Sequence, residues 1–407
     1  MASNIKKAFS SALVAGLVYL GLNASMGIPL GGTACGGSGA GGDHGGADQI
    51  QRNLIAAGQT LETSPRHLLG DPVVLLGSSL VMSPLWAADV RLGHFLQDVN
   101  MHHRSLHMKE EMDKFGYHKD AVSLATPGQF VSDAYLIVDK HLKDKNRPEI
   151  LIYGIAPRDF MDSTTSGLVT SVFNQLVAIT DMPKIKDLFL ESFDDHMNFV
   201  LERTVFLYHK RTRYQTKFEE AVEKLTCRLD KYLAPKTESA AAPFLMGTDH
   251  DAIWKQSTEE YARRYKTANE PLFQKQTKCL RALMQLCKER NIKLYIVAMP
   301  LSKTNMALMP PGLYQHYMDT LKTETGKADV PLIDLAADGN YSDDDFYDTV
   351  HLNQTGGERF IKQMTALVRA NSQGIAFTPE LLKNVNVESP EPVKPQLATP
   401  ALTSPAL

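Results

Sequence analysis

The chain of 407 residues has only four cysteines and no excess of basic residues. Four cysteines are too few for a disulfide framework at this length, which makes a hydrophobic core the expected source of stability. Cys279 and Cys287 lie two turns apart on one predicted helix, too far apart to bond each other. The formal net charge of -3 argues against nucleic acid as a partner.

The sequence also lacks the patterns of repeat proteins, phosphate-binding loops and metal centres. The glycine-rich residues 31–46 have neither the spacing nor the flanking strand of a phosphate loop. His103 and His107 could share a helix face, but no cysteine or carboxylate pattern completes a metal site. We therefore expect no metal and no cofactor. The 43% of hydrophobic residues suffices for one sizeable core.

Short apolar segments alternate with long helical patterns through the central part of the chain. This alternation predicts an α/β protein with a parallel sheet that helices cover on both faces. Five strands suit a flavodoxin-like, three-layer arrangement, in which ligands bind beyond the carboxyl ends of the strands. The candidate strands are residues 72–77, 121–125, 149–154, 293–299 and 330–335.

Two motifs carry the residue types of a serine enzyme. Ser79 follows the first predicted strand in the sequence Gly77-Ser78-Ser79-Leu80, and Asp348 and His351 directly precede the last predicted helix. A serine hydroxyl needs a histidine to accept its proton and a carboxylate to orient that histidine. Either motif alone is equally consistent with a structural role, since Gly-Ser-Ser is a common turn and Asp-x-x-His arises by chance.

Together the two motifs resemble the first and last sequence blocks of the SGNH/GDSL hydrolases, which are of the Gly-Asp-Ser-Leu and Asp-x-x-His types. The resemblance implies that Ser79 is the nucleophile, His351 the general base and Asp348 its orienting carboxylate. The first block has Ser78 in place of the aspartate. In this respect it resembles the block of family members that act on extracytoplasmic polymers, such as teichoic-acid D-alanylation and alginate O-acetylation proteins.

The resemblance extends to the groups that would hold the oxyanion, with one departure. The family's second block supplies a glycine N–H, and Gly128 is in the matching position. The third block, usually Gly-x-Asn-Asp, lacks its asparagine here and contains Arg158 and Asp159. Arg158 has fixed donors and a permanent charge, so it could serve the oxyanion or bind an anionic part of a substrate. Alternatively, Arg158 and Asp159 pair with each other at the surface.

The last predicted helix should fix the position of the Asp348 and His351 loop. Asn353 or Thr355 can cap its start, and apolar residues follow at helical spacing from Phe360 to Val368. We expect this apolar face to dock on the sheet. Docking would hold the loop in place, which matters because catalysis tolerates little misplacement.

A long helical pattern separates the third block from the fourth strand. Residues 165–290 are too many for an ordinary crossover, so we interpret them as a helical insertion within an α/β domain of residues 65–375. Basic and aromatic residues interleave at 210–214 and 261–266. A solvated helix face explains these two segments more simply than contact with phosphates or a sugar polymer.

The two ends of the chain have compositions unlike the rest. Lys6 and Lys7 precede an apolar run, so residues 1–30 are expected to be a signal peptide or a membrane anchor. We interpret residues 31–60 as a glycine-rich flexible tether and the proline-rich residues 386–407 as a disordered tail. The expected location is extracytoplasmic, either membrane-anchored or secreted.

These observations predict an extracytoplasmic serine esterase or O-acyltransferase that acts through an acyl-enzyme on an acylated glycan or lipid. The alternative is a catalytically inactive protein of the same fold for glycan binding or envelope assembly, which the missing asparagine favours. The enzyme requires Ser79 and His351 to lie within hydrogen-bond reach, whereas the inactive protein predicts a displaced triad. A phospholipase or thioesterase would have an apolar acyl tunnel.

Overall fold

The computed structural model describes residues 44–92, 98–165, 167–204, 250–375, 378 and 380–383. The predicted leader (1–30), the first part of the predicted tether (31–43), the segment 210–214 and the predicted tail (386–407) lie outside these residues. None of the helices in the described ranges is both long and apolar enough to span a bilayer. The chain divides into two compact units, residues 1–48 with 167–248 and residues 49–166 with 249–407.

The larger unit is built on a sheet of five parallel strands in the order β2-β1-β3-β4-β5. This is the flavodoxin-like order, and it confirms the predicted α/β class and all five predicted strands. Every residue of β1 and β3 is buried, as expected for central strands that are covered on both faces. The strands are β1 (Val73–Leu76), β2 (Ala121–Ser123), β3 (Ile150–Ile155), β4 (Lys293–Ala298) and β5 (Leu332–Asp334).

Helices connect and flank the strands. Those up to residue 204 are α1 (His44–Glu62), α2 (Arg66–Leu69), α3 (Ser79–Arg91), α4 (Leu106–Asp113), α5 (Val131–His141), α6 (Ser171–Leu176), α7 (Met182–Phe189) and α8 (Phe193–Thr204). Those from residue 250 onward are α9 (His250–Arg264), α10 (Glu270–Glu289), α11 (Lys303–Ala307), α12 (Leu313–Ala328), α13 (Leu335–Asp338), α14 (Gln354–Ser372) and α15 (Glu380–Lys383). Short 3-10 helices span Val99–Met101, Asp144–Asn146, Pro157–Asp159, Ile179–Asp181 and Asp343–Asp345.

Helix α1 corrects the interpretation of residues 31–60 as a flexible tether, because it occupies residues 44–60 of that segment. Leu54, Ala57 and Leu61 are buried and fall three and four residues apart, so they line one face of the helix. The glycine-dense sequence ends at Gly46, and the apolar spacing beyond it determines the structure.

In the smaller unit, α6, α7 and α8 pack around aromatic side chains. The ring of Phe173 lies 5.2 Å from that of Phe189 and 6.0 Å from that of Phe199. The guanidinium of Arg203 lies 4.0 Å from the centre of the Phe199 ring, and its Nε donates to the carbonyl of Val177 at 3.0 Å. Residues 171–176, 182–189 and 193–204 are helical, as the sequence predicts for this part of the insertion. The limits of the insertion at 165 and 290 stay a prediction.

Helix α10 also falls within residues 165–290, but it belongs to the larger unit. The side chain of Gln276 accepts a hydrogen bond from the buried N–H of Ser132, on α5, at 2.8 Å. At its other end, Arg290 donates to the carbonyls of Val138 and Leu142 at 2.7 and 3.0 Å, which satisfies the last turn of α5.

The last long helix, α14, packs closely against α3. Asn353 caps α14 by accepting hydrogen bonds from the N–H groups of Thr355 and Gly356 at 2.9 and 3.1 Å. Gly357 faces the backbone of Pro84, where an added Cβ would lie only 2.6 Å from the carbonyl oxygen. A glycine is therefore needed for this approach. It brings the start of α14 beside the helix that begins at Ser79.

We expect Gly357→Ala to lower the free energy of unfolding by about 1–3 kcal/mol, because the new methyl group meets rigid backbone. Urea unfolding followed by circular dichroism would measure this change. The matched control is Gly326→Ala on α12, where nothing lies within 4 Å and alanine should stabilise by about 0.5–1 kcal/mol. Equal effects of the two substitutions would contradict the close approach.

Candidate functional site

Ser79 lies at the carboxyl end of β1, as the first residue of α3. The turn before it depends on Gly77, whose φ is 151° and whose added Cβ would lie 2.7 Å from the carbonyl oxygen of Gly154. Ser78 is the N-cap, and its side chain accepts from the N–H of Leu80 at 3.5 Å. Ser79 is half-buried at a helix N-terminus, where backbone N–H groups have no partner within the helix.

His351 joins Ser79 and Asp348 in one hydrogen-bonded chain. Its Nε2 lies 2.9 Å from Oγ of Ser79, and its Nδ1 lies 2.7 Å from Oδ2 of Asp348. The other carboxylate oxygen of Asp348 accepts from the N–H groups of Val350 and His351, both at 2.8 Å. The carboxylate thus shapes the loop as well as holding the imidazole.

The ionisation of Asp348 determines the direction of these hydrogen bonds. Burial raises the pKa of this carboxyl, but the His351 charge and the hydrogen bonds from His351 and Val350 outweigh burial, so the pKa lies below its ordinary value. An ionised Asp348 can only accept, so Nδ1 of His351 donates to it. In the neutral imidazole, Nε2 is then the acceptor for the Ser79 hydroxyl.

A buried network of hydroxyl groups holds the loop between Asp348 and His351. The Thr349 hydroxyl lies 2.6 Å from that of Ser257 on α9, and the Thr349 carbonyl accepts from Ser302 at 2.7 Å. Asn305 donates to the Thr349 hydroxyl at 3.3 Å. Sequence reasoning missed these residues, because isolated polar side chains far apart in the chain give no local signal.

Gly128 and Arg158 form a second group at the carboxyl ends of β2 and β3. Gly128 is exposed, has a φ of 67°, and an added Cβ would lie 3.3 Å from Nη2 of Arg158. The N–H of Thr126, two residues before Gly128, donates to the carbonyl of Gly77 at 3.0 Å. This bond ties the Gly128 loop to the turn that carries Ser79. Among the described residues, no hydrogen bond joins Arg158 directly to Ser79.

Arg158 does pair with Asp159, at 3.5 Å, but the alternative that placed this pair at the surface is wrong. Arg158 is only 9% exposed, since its guanidinium stacks 4.4 Å from the centre of the Phe130 ring. Its Nη1 also donates to the carbonyl of Gln129 at 3.3 Å, and its Nε lies 3.3 Å from Asp162. Nη2, beside Gly128, makes no hydrogen bond or ion pair with any described residue. It is the guanidinium nitrogen available to a ligand.

Asp159 is buried beneath this arginine. Burial raises the pKa of its carboxyl to about 6, although Arg158 and the hydrogen bond from the Ala156 N–H, at 2.9 Å, act in the opposite direction. Asp162 differs, because hydrogen bonds from Thr164 and the charges of Arg264 and Arg158 outweigh burial and lower its pKa. The two carboxylates thus hold the guanidinium from two sides.

The histidines considered as metal ligands have structural contacts. His103 Nδ1 lies 3.1 Å from the carbonyl oxygen of Ser123, and burial lowers the pKa of the ring to about 4. His102 pairs with Asp89, which also accepts from the N–H groups of Leu106 and His107 at 2.9 and 2.7 Å. In the described part of the chain, no three histidine, cysteine or carboxylate side chains are arranged to hold a metal ion.

Comparison with known proteins finds few similarities. No protein-family model matches the chain, and no curated protein sequence matches it. Among solved structures, the crystal structure of an acetyl xylan esterase aligns with 73% of this chain and 99% of its own, at 14% sequence identity and a TM-score of 0.33.

We expect Asp159 to make the protein less stable as the pH rises. Its folded-state pKa of about 6 exceeds the ordinary value of about 3.9, so protonation favours the folded state. Its contribution is therefore fully present below about pH 4 and is lost as the pH rises through about 6. Relative to Asp159→Asn, the wild type should lose free energy of unfolding between pH 4 and pH 7.5, as urea titrations at both values would measure.

The control is Asp162→Asn, whose wild-type carboxyl has a lowered pKa and stays ionised across this range. Its stability difference from the wild type should therefore change little between the two pH values. A constant difference for Asp159→Asn as well would mean that the Asp159 carboxyl does not titrate in this window.

Proposed function

We propose that this protein is an SGNH-type serine esterase or O-acyltransferase that works through a Ser79-His351-Asp348 triad. The observation that carries the proposal is the continuous chain of short contacts, 2.9 Å from Ser79 to His351 and 2.7 Å from His351 to Asp348. Hydrogen-bond contact between a serine and a histidine that a buried carboxylate orients is the arrangement that activates a nucleophile.

The chemistry follows from the direction of the hydrogen bonds. Ser79 Oγ forms a bond to the acyl carbonyl carbon while Nε2 of His351 takes its proton. The ester bond then breaks, and His351 returns the proton to the departing alcohol oxygen. An acyl-enzyme on Ser79 remains. Water or a second alcohol, deprotonated by His351, attacks it in the same way and releases Ser79, which gives hydrolysis or acyl transfer.

The oxyanion formed at each step requires hydrogen-bond donors. We assign this role to the backbone N–H groups of Ser79 and Gly128 and to Nη2 of Arg158. The guanidinium is fixed by Phe130, Gln129 and two carboxylates, so it need not reorganise when negative charge develops. In this proposal Arg158 replaces the asparagine that the related sequence block normally contains.

The substrate class and the location rest on the sequence. The basic and apolar residues near the N-terminus favour export or membrane anchoring, and Ser78 in the first block favours enzymes of extracytoplasmic polymers. We therefore propose an acylated glycan or lipid outside the cytoplasm as the substrate. An inactive glycan-binding protein of the same fold is the competing function, and labelling of the serine separates the two.

We expect a fluorophosphonate probe to label the full-length protein once, at Ser79, because only an activated serine attacks this reagent readily. Ser79→Ala should abolish labelling, and His351→Ala should reduce its rate by at least about 1,000-fold. Intact mass and peptide mapping would measure the extent and the site.

Ser78→Ala is the matched control, since it changes the adjacent serine and removes only a helix cap. It should lose about 1 kcal/mol of stability and retain labelling at Ser79. A folded wild type that is not labelled would reject the serine-enzyme proposal and favour the binding or assembly role.

We expect Arg158→Lys to lower kcat/KM for p-nitrophenyl acetate about 100-fold or more, mainly through kcat. A lysine keeps the charge, but its single ammonium group cannot place a donor beside Gly128 while it pairs with both carboxylates. Steady-state kinetics would measure the change.

Arg281→Lys provides the control, because Arg281 on α10 makes a bidentate pair with Glu324 on α12, at 2.6 and 2.9 Å, and neither residue belongs to the motifs of the candidate site. It should leave kcat/KM unchanged. A similar loss in both variants, or none in Arg158→Lys, would remove Arg158 from the oxyanion site.

A further inference from the structure

Helix α9 contacts both groups of the candidate site. Near its middle, the Ser257 hydroxyl lies 2.6 Å from that of Thr349, the neighbour of Asp348. At its end, Arg264 forms an ion pair with Asp162, the carboxylate that also pairs with Arg158. The helix is thus fixed to the loop of the base at one point and to the arginine cluster at another.

Tyr261 lies on the same face of α9, between these two contacts. It is four residues after Ser257 and three residues before Arg264, the spacings at which side chains of a helix are neighbours. On this face it lies between the residue that contacts Thr349 and the residue that pairs with Asp162. The electrostatics of its phenol agree with this placement, because the two charged groups that act on it most strongly are Arg158 and Asp348.

The hydroxyl group of Tyr261 is available as a donor. Burial raises the pKa of the phenol, Arg158 lowers it and Asp348 raises it, with a net rise that keeps the group protonated at neutral pH. Tyr261 is half-buried, and its hydroxyl makes no hydrogen bond to any described residue. Two buried tyrosines of the same unit differ in this respect. The hydroxyl of Tyr295 donates to the side chain of Asn371 at 2.9 Å, and that of Tyr317 donates to the carbonyl of Ile155 at 3.0 Å.

The sequence predicts a solvated helix face at residues 261–266. That interpretation holds for Arg263 and Lys266, which are exposed, but Tyr265 is buried and Arg264 is half-buried. The Tyr261 ring lies 5.8 Å from both the Tyr265 ring and the Arg264 guanidinium. These contacts fix the ring and leave the hydroxyl without a partner.

We propose that Tyr261 is a substrate-contacting residue whose hydroxyl donates a hydrogen bond to the acyl carbonyl oxygen as that oxygen becomes negative. This inference rests on the proposed serine-enzyme function. It adds a donor from α9 to the three donors already assigned, those of Ser79, Gly128 and Arg158. A neutral donor beside the Arg158 guanidinium suits an oxygen that gains charge during the reaction.

The test uses Tyr261→Phe in the full-length protein, which removes the hydroxyl and keeps the ring. We expect the second-order rate constant for fluorophosphonate labelling of Ser79 to fall about 10- to 100-fold, since the phosphoryl oxygen needs the same donors. For p-nitrophenyl acetate, kcat should fall by a similar factor with little change in KM. The melting temperature should stay within the error of the wild-type value, because no intramolecular hydrogen bond is lost.

Tyr295→Phe is the matched control. It removes a tyrosine hydroxyl that does bond to another residue, so it should lower the melting temperature slightly and leave both rates unchanged.

Three results would overturn the inference, and they are distinguishable. If the wild type itself is not labelled at Ser79, the proposed function fails and the role of Tyr261 fails with it. If the wild type is labelled and Tyr261→Phe reacts at the same rate, only the role of Tyr261 is rejected. If Tyr261→Phe lowers the melting temperature as well as the rate, Tyr261 has a structural role, and this result would also overturn the inference.

Discussion

The close packing of α14 on α3 is the contact on which the candidate site depends. Ser79 and His351 are 272 positions apart in the chain, yet their side chains lie 2.9 Å apart. Gly357 makes this possible, because its missing side chain lets α14 meet the backbone of Pro84. The hydroxyl of Ser83 adds a hydrogen bond of 3.2 Å to the Leu352 carbonyl. The helix that starts at Ser79 is thereby fixed against the residues that follow His351.

Buried charge is the second constraint. Arg158 is withdrawn from solvent by Phe130 and is compensated by Asp159 and Asp162, and a buried cation without such partners would be strongly destabilising. Burial raises the pKa of Asp159, although the charge of Arg158 acts in the opposite direction. A guanidinium that is held rigid, with one nitrogen that makes no hydrogen bond to the described residues, is well suited to stabilise negative charge on a ligand. The same arrangement costs stability as the pH rises, so a functional role would explain why it persists.

Helix α9 connects these two constraints. Ser257 contacts the hydroxyl network around Thr349, and Arg264 pairs with Asp162, so one helix positions the Asp348–His351 loop and the arginine cluster relative to each other. Tyr261 lies between these two contacts on the same helix. The Asp348–His351 loop and the Arg158 cluster are therefore linked through a helix whose basic and aromatic sequence resembles an ordinary surface.

The five strands, the start of α14 near its cap and the buried face of this helix follow from the sequence alone, because apolar spacing and capping are local properties that act over a few residues. Local patterns also singled out Ser79, Asp348 and His351 as candidates. They misjudged residues 44–60, where apolar spacing outweighs nearby glycines, and the Arg158 pair, which is buried rather than exposed. Only the tertiary structure decided the burial of Arg158, the contact between Ser257 and Thr349, and the placement of Tyr261. These depend on which distant segments share one end of the sheet, and side-chain burial and pairing arise only when those segments pack together.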